Sequence, residues 1–185
     1  MEVFSKKNIG FMQSRLSSNS NNKLQFFPWN NWKEEFYVGS KNNYRIIEWT
    51  IDSYKIDKNP FYVDRKRISD LKARTNFHIT GVTCDFLMEN PYYKTDATSI
   101  DSYEYLKKTI ESCHILGVKY IIFPLVDNGS IKNLSCDKLF NSLNNISQLL
   151  DKNVNIIFEL DLEPYKVLDF IKNFDEIKFG INYDT

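Results

Sequence analysis

The chain has 185 residues, 42% of them hydrophobic and 15% aromatic, which suffices for one globular core and fits a single domain. Lys+Arg and Asp+Glu are 24 each, so the formal net charge is zero, and the basic surplus that marks nucleic-acid binders is missing. No apolar run approaches the ~18 residues of a membrane span, and residues 1–7 lack the apolar core of a signal peptide.

Six short apolar runs recur along the chain, at 8–15, 45–52, 78–88, 119–127, 155–162 and 179–184. Helical patterns fill the gaps. The stretch 32–38 reads as a short helix, and 64–76 carries Ile68 and Leu71 at helical spacing. The clearest helix is 101–116: Asp101 is a good N-cap, Glu104 follows three residues on, Gly117 is a stop, and Leu106, Ile110 and Cys113 form the stripe. The pattern at 137–150 places Leu139, Leu143, Ile146 and Leu150 on one face. The last, 164–173, opens with Pro164 and carries Val167, Leu168 and Ile171.

Strand and helix therefore alternate through six strands, and such alternation demands parallel strands with helical crossovers. An open doubly wound sheet and a (β/α)8 barrel both fit. No GxGxxG or P-loop is present. Polar residues intrude on one face near the strand ends. Glu48, Thr50 and Asp52 share a face with Ile46, opposite Ile47, Trp49 and Ile51. Glu159 and Asp161 share a face with Ile157, opposite Ile156, Phe158 and Leu160. Asn182 and Asp184 share a face with Gly180, opposite Phe179, Ile181 and Tyr183. One face would pack under helices and the other would line a polar barrel mouth. The expectation is an α/β (β/α)8 TIM barrel, incomplete here, occupying 1–185 as one domain truncated after strand six. A complete barrel takes eight strands and about 250 residues. A short open-sheet protein, or closure by a second chain, are the alternatives.

Among the remaining features, Cys84, Cys113 and Cys136 are odd in number and lack CxxC spacing. They read as free thiols in a reducing compartment, hence a cytoplasmic protein. Asp161 reads as a cap for the helix near Pro164. Phe26, Phe27, Trp29 and Trp32 read as rim packing or as an apolar wall for a ligand. Residues 17–22 read as a polar loop beside the mouth.

Ordered pieces of the chain resemble the sugar-phosphate isomerase/epimerase family of the xylose-isomerase-like TIM barrel superfamily, which also holds endonuclease IV. They are Ile9-Gly10-Phe11-Met12-Gln13-Ser14-Arg15-Leu16, Phe27-Pro28-Trp29-Asn30-Asn31-Trp32, Ile47-Glu48-Trp49-Thr50, Thr83-Cys84-Asp85-Phe86-Leu87-Met88, Phe123-Pro124-Leu125-Val126-Asp127-Asn128, Phe158-Glu159-Leu160-Asp161-Leu162 and Gly180-Ile181-Asn182-Tyr183-Asp184-Thr185. The resemblance implies a divalent ion at the mouth, manganese foremost, with magnesium, cobalt or zinc as alternatives. It matches Glu159 and Asp184 to the first two metal ligands, a strand-five Glu and a strand-six Asp, while a later His and Glu have no counterpart. Glu159 would double as the catalytic base. Gln13 and Arg15 would hold a substrate oxygen or phosphate, or brace the mouth. Glu48 would bind a substrate hydroxyl, or pair with a cation such as Arg15. The substrate implied is a small sugar or sugar phosphate, and the chemistry is proton abstraction beside a carbonyl through an enediolate. A homo-oligomer is compatible with the sequence. A non-catalytic truncated barrel acting as an interaction module is the alternative. An endonuclease-IV-like repair enzyme is disfavoured by two histidines and zero net charge.

Overall fold

The computed structural model describes residues 9–17, 25–94 and 100–183. In chain order the elements are β1 (Gly10–Met12), α1 (Trp32–Lys41), β2 (Ile46–Ile51), α2 (Pro60–Val63), α3 (Arg65–Thr75), β3 (His78–Cys84), α4 (Asp85–Glu89), α5 (Ser102–Leu116), β4 (Tyr120–Leu125), α6 (Asp137–Ser147), β5 (Asn155–Leu160), α7 (Pro164–Ile171) and β6 (Phe179–Ile181). Among the described residues six strands form one sheet in sequential order, β1 to β6, and every neighbouring pair is parallel. Parallel neighbours in sequence order, each joined by a helical crossover, make a partial TIM barrel.

The two faces of the strands divide as the alternation of side chains requires. Ile47, Trp49 and Ile51 of β2, Ile121, Phe123 and Leu125 of β4, and Ile156 and Phe158 of β5 are fully buried. They pack with the apolar stripes of the helices: Ile68 and Leu71 of α3, Leu106, Ile110 and Cys113 of α5, and Leu139, Leu143 and Ile146 of α6. Each such side chain contributes about 1.5–3 kcal/mol on burial. The aromatic rim belongs to this outer core, since Phe27 packs on Trp29, Trp32 and Trp49 at centroid distances of 4.9–6.3 Å.

Helix ends follow local chemistry. Asp101 accepts the Glu104 backbone N–H at 3.0 Å, and Gly117 ends α5 with φ of 67°, the left-handed conformation that costs glycine least.

Several expectations needed correction. The apolar run at 78–88 is not one strand: β3 stops at Cys84 and the chain turns into α4, placing Phe86 and Leu87 in the core. β1 and β6 are only three residues long. In α7 the buried residue is Phe170, while Leu168 is 60% exposed. Phe170 takes the inner position because it packs with Phe140, Phe158 and Phe174. Ile181 and Tyr183, expected beneath helices, are exposed. Among the described residues no helix is long and apolar enough to cross a membrane.

Candidate functional site

The C-terminal ends of β1, β2, β3 and β5 gather the polar side chains of the inner face. Glu48 stands on β2 opposite Met12 of β1 and Gly81 of β3. A register shift between Ile47 and Glu48 sets Gly81 there instead of Thr80, a bulge of the kind that re-aims side chains beside sites. The Thr83 hydroxyl donates to Glu48 Oε1. Burial raises the Glu48 pKa above the usual carboxylate range, and the Thr83 hydrogen bond opposes that rise.

Gln13 follows β1 directly and is fully buried. Its backbone N–H donates to the Glu48 carbonyl at 3.0 Å, and its Oε1 accepts the Thr50 N–H at 2.9 Å. The side chain thus splices β1 to β2 through one oxygen. Its Nε2 and the Thr50 hydroxyl have no hydrogen-bond partner among the described residues. Arg15, two residues on, is exposed. The turn that carries it is gripped by Glu35 of α1, whose carboxylate accepts the Ser14 and Leu16 N–H groups at 3.2 Å each and the Ser17 hydroxyl at 3.0 Å. Burial raises the Glu35 pKa, with these hydrogen bonds working against the rise.

Glu159 is the fifth residue of β5, paired opposite Pro124 and half-buried. Asp184 lies outside the described residues, as do positions 18–22 of the polar loop. Asp161 is not a helix cap. It accepts the Ser130 hydroxyl at 2.9 Å and pairs with Lys132 at 3.2 Å, while Glu163 occupies the N-cap position of α7 without a side-chain cap hydrogen bond. The loop after β4 supplies a donor and a cation that compete for Asp161 better than the α7 amides do.

Sequence reasoning missed Asp85. This residue opens α4 two positions after Thr83, is 5% exposed, and accepts the Gln25 amide at 2.7 Å. Its pKa is pushed up to about 8, first by burial, then by the negative charges of Glu89, Asp52 and Glu159, with the Gln25 hydrogen bond opposing. Asp52 lies one strand over and accepts the backbone N–H groups of Phe27 at 2.9 Å and Tyr54 at 3.1 Å. Gln25 and Phe27 therefore tie the segment before α1 across the mouth to β2 and β3. The signal available in the sequence was alternation: Gly81, Thr83 and Asp85 fall on one face.

Among the described residues no three His, Cys, Asp or Glu side chains are grouped so as to hold a metal ion. The described donors alone do not fit one. The thiols of Cys84 and Cys113 are buried, and burial raises their pKa well away from thiolate chemistry.

No protein-family model matches the sequence, and no curated protein matches it. Solved structures do. A xylose isomerase domain protein from Planctomyces limnophilus superposes with a TM-score of 0.59 at 12% identity, over 95% of this chain and 62% of that one. A D-allulose 3-epimerase from Methylomonas sp., crystallised with D-allulose, gives 0.57 at 13% identity, over 80% of this chain and 55% of that one. The likeness is one of fold. The chain spans about three fifths of the length of these two neighbours.

Proposed function

We propose that this chain is part or all of a sugar or sugar-phosphate isomerase/epimerase, working by proton transfer beside a carbonyl. The observation that carries the reading is the buried acidic lining at the C-terminal ends of parallel strands. There burial, followed by the charges of Glu89, Asp52 and Glu159, pushes the Asp85 pKa up to about 8. Ligands of barrels bind at that end of the strands. The two fold neighbours, one titled a xylose isomerase domain protein and the other an epimerase, support the same class.

In this reading Glu159 takes the proton from the carbon beside the carbonyl, and the electron pair forms an enediolate. Return of a proton to the opposite face of that carbon gives an epimer; return to the neighbouring carbon gives an isomer. Glu48 and Arg15 serve the sugar hydroxyls or a phosphate, and Gln13 braces the wall that holds them. Manganese or a similar ion belongs to the reading only with donors outside the described residues, Asp184 among them. Buried free thiols suit a reducing, cytoplasmic setting.

The test is solvent-deuterium exchange. The full chain is incubated in D2O, with and without manganese, with a panel of ketohexoses including D-allulose and with ketopentose 5-phosphates. Carbon–deuterium formation is followed by proton NMR. The expected result is exchange at the carbon beside the carbonyl of one class, abolished in Glu159→Gln because an amide cannot accept the proton. Exchange in Glu159→Gln at the wild-type rate overturns the reading, and no exchange in the wild type favours a non-catalytic binding module.

A further inference from the structure

Helix α3 breaks the charge balance of the chain. It carries Arg65, Lys66, Arg67, Lys72 and Arg74 against the single acid Asp70, in a protein whose net charge is zero. Its first turn has no acid, although a helix N-terminus favours anions and repels cations. A local rule broken in this way points to a use for the charge. Internal pairing absorbs only part of it. Arg65 pairs with Glu111 of α5, and Lys66 with Asp70 at 3.0 Å. Arg67 reaches Asp64 at 3.3 Å with both side chains about half exposed, a surface pair worth little. Among the described residues Arg74 makes no ion pair. Nor does Lys33 on the neighbouring α1, which lies 5.4 Å from the centroid of the Trp32 ring. These cations meet at one place. Lys33 and Tyr37 stand about one turn apart on α1, and Arg67, Asp70, Leu71 and Arg74 recur at helical spacing on α3. Together they line a cavity of about 320 Å³, at the small end of the roughly 300–1,000 Å³ that ligand sites occupy. Phe36 of α1 and Ile68 of α3 are fully buried in the core. The cavity belongs to the outer surface of the helix layer and shares no residue with the barrel mouth. Leu71, 6% exposed, gives it an apolar floor, and the Tyr37 ring, 45% exposed, gives it a flat wall.

We propose that this groove between α1 and α3 binds a small molecule carrying a phosphomonoester on a flat ring system, the chemistry of a nucleoside monophosphate. Lys33, Arg67 and Arg74 supply the donors. The guanidinium N–H groups meet phosphate oxygens as a fork, and the ammonium adds a point charge. A phosphomonoester carries close to two negative charges at neutral pH, and three cations against one acid around the cavity match that charge. Asp70, held beside the groove by Lys66, accepts a hydroxyl of the ligand and repels a second phosphate. Arg67 and Arg74 lie seven residues apart on α3, about 10 Å along the helix axis. That length accommodates a phosphate at one end and a ring at the other. The Tyr37 ring takes the flat face of the ligand, with Leu71 beneath it. No bond is made or broken here, and the proposal stands apart from the carboxylate chemistry of the strand ends.

The test is titration of the full chain with adenosine monophosphate, adenosine, ribose 5-phosphate and inorganic phosphate, followed by backbone amide NMR and calorimetry. Adenosine monophosphate is expected to shift the amides of α1 and α3 and to bind more tightly than ribose 5-phosphate or phosphate. Adenosine, lacking the anion, should not bind, and added salt should weaken every complex. Lys33→Gln combined with Arg74→Gln should weaken adenosine monophosphate by about tenfold or more. Lys152→Gln, an exposed cation outside the groove, should leave it unchanged. Tyr37→Ala should weaken adenosine monophosphate while inorganic phosphate binds as in the wild type. All these side chains are exposed, and an unchanged urea midpoint verifies that each variant is folded. Wild-type affinity in the Lys33 and Arg74 double variant overturns the site. So does a failure of all four ligands to bind, or a set of shifts scattered over other basic residues. Shifts at the amides of Glu48 and Glu159 instead would place the phosphate at the barrel mouth and equally defeat the proposal. Equal affinity for adenosine monophosphate and ribose 5-phosphate, with Tyr37→Ala silent, would overturn the recognition of a ring. Because the readout is binding at α1 and α3, the result is independent of whether the chain exchanges deuterium into a ketose.

Discussion

Thr83 on β3 donates its hydroxyl hydrogen to Glu48 on β2, and Glu48 stands opposite Gly81, where no side chain competes for the space. A Cβ on Gly81 would sit 3.0 Å from Ile122 Cδ1 and 3.8 Å from Glu48 Cγ. The bulge at Thr80, the bare Gly81 and the Thr83 hydroxyl together build the seat of one acidic side chain.

Thr83→Val therefore removes the one donor that lowers the Glu48 pKa. The expected outcome is a further rise of that pKa, seen by carboxyl NMR, and a stability loss of about 1–3 kcal/mol in urea denaturation near neutral pH. A Glu48 titration that does not move would show that Thr83 is not its partner.

Stability should fall as pH rises across the neutral range. Asp85 has a folded pKa of about 8 against an ordinary value of 3.8. Its contribution is fully present below the unfolded value and is lost as pH rises through the folded one, because the unfolded chain gives up the proton first. Glu48 and Glu35 are shifted in the same direction. Urea midpoints measured from about pH 5 to pH 9 should decline, and Asp85→Asn should flatten the part approaching pH 8. A wild-type midpoint that climbs through this window would contradict the burial of Asp85.

The ends of α5 test local control of the fold. Asp101→Ala removes the cap on the Glu104 N–H and should cost about 1 kcal/mol. Gly117→Ala meets nothing within 4 Å, so its expected cost of about 1 kcal/mol is conformational alone. Thermal or urea unfolding of each variant checks both values, and a neutral Gly117→Ala would mean the left-handed turn is not held.

What the sequence made legible was local. Asp101, Glu104 and Gly117 announce α5, because caps act within a turn of the residues they serve. The inner and outer faces of β2 follow from alternation, which Ile47, Trp49 and Ile51 obey. The run at 78–88 misled because Phe86, Leu87 and Met88 are as apolar as a strand, and the helix they form packs against β2, β4 and α5, contacts that spacing does not record. Asp85 was hidden inside that run. Its importance comes from Gln25, 60 residues earlier, and from carboxylates on other strands, none of which spacing records. Asp161 was misassigned for the same reason, since its partners Ser130 and Lys132 come from a different loop.

Glu35 controls the turn that carries Arg15. Ser14 has φ of 77°, a left-handed conformation costly for a residue with a Cβ. It is held because the Glu35 carboxylate collects the Ser14 and Leu16 N–H groups and the Ser17 hydroxyl. Removing the acceptor leaves those donors without their partner and leaves the left-handed turn uncompensated. Glu35→Ala should therefore lower stability by about 1–3 kcal/mol, and hydrogen exchange at the Ser14 and Leu16 amides should accelerate before that of the β2 core. Glu35→Gln keeps one acceptor oxygen and should fall between wild type and alanine. If the Ser14 and Leu16 amides exchange as slowly in Glu35→Ala as in the wild type, the turn is self-supporting and Glu35 does not position Arg15.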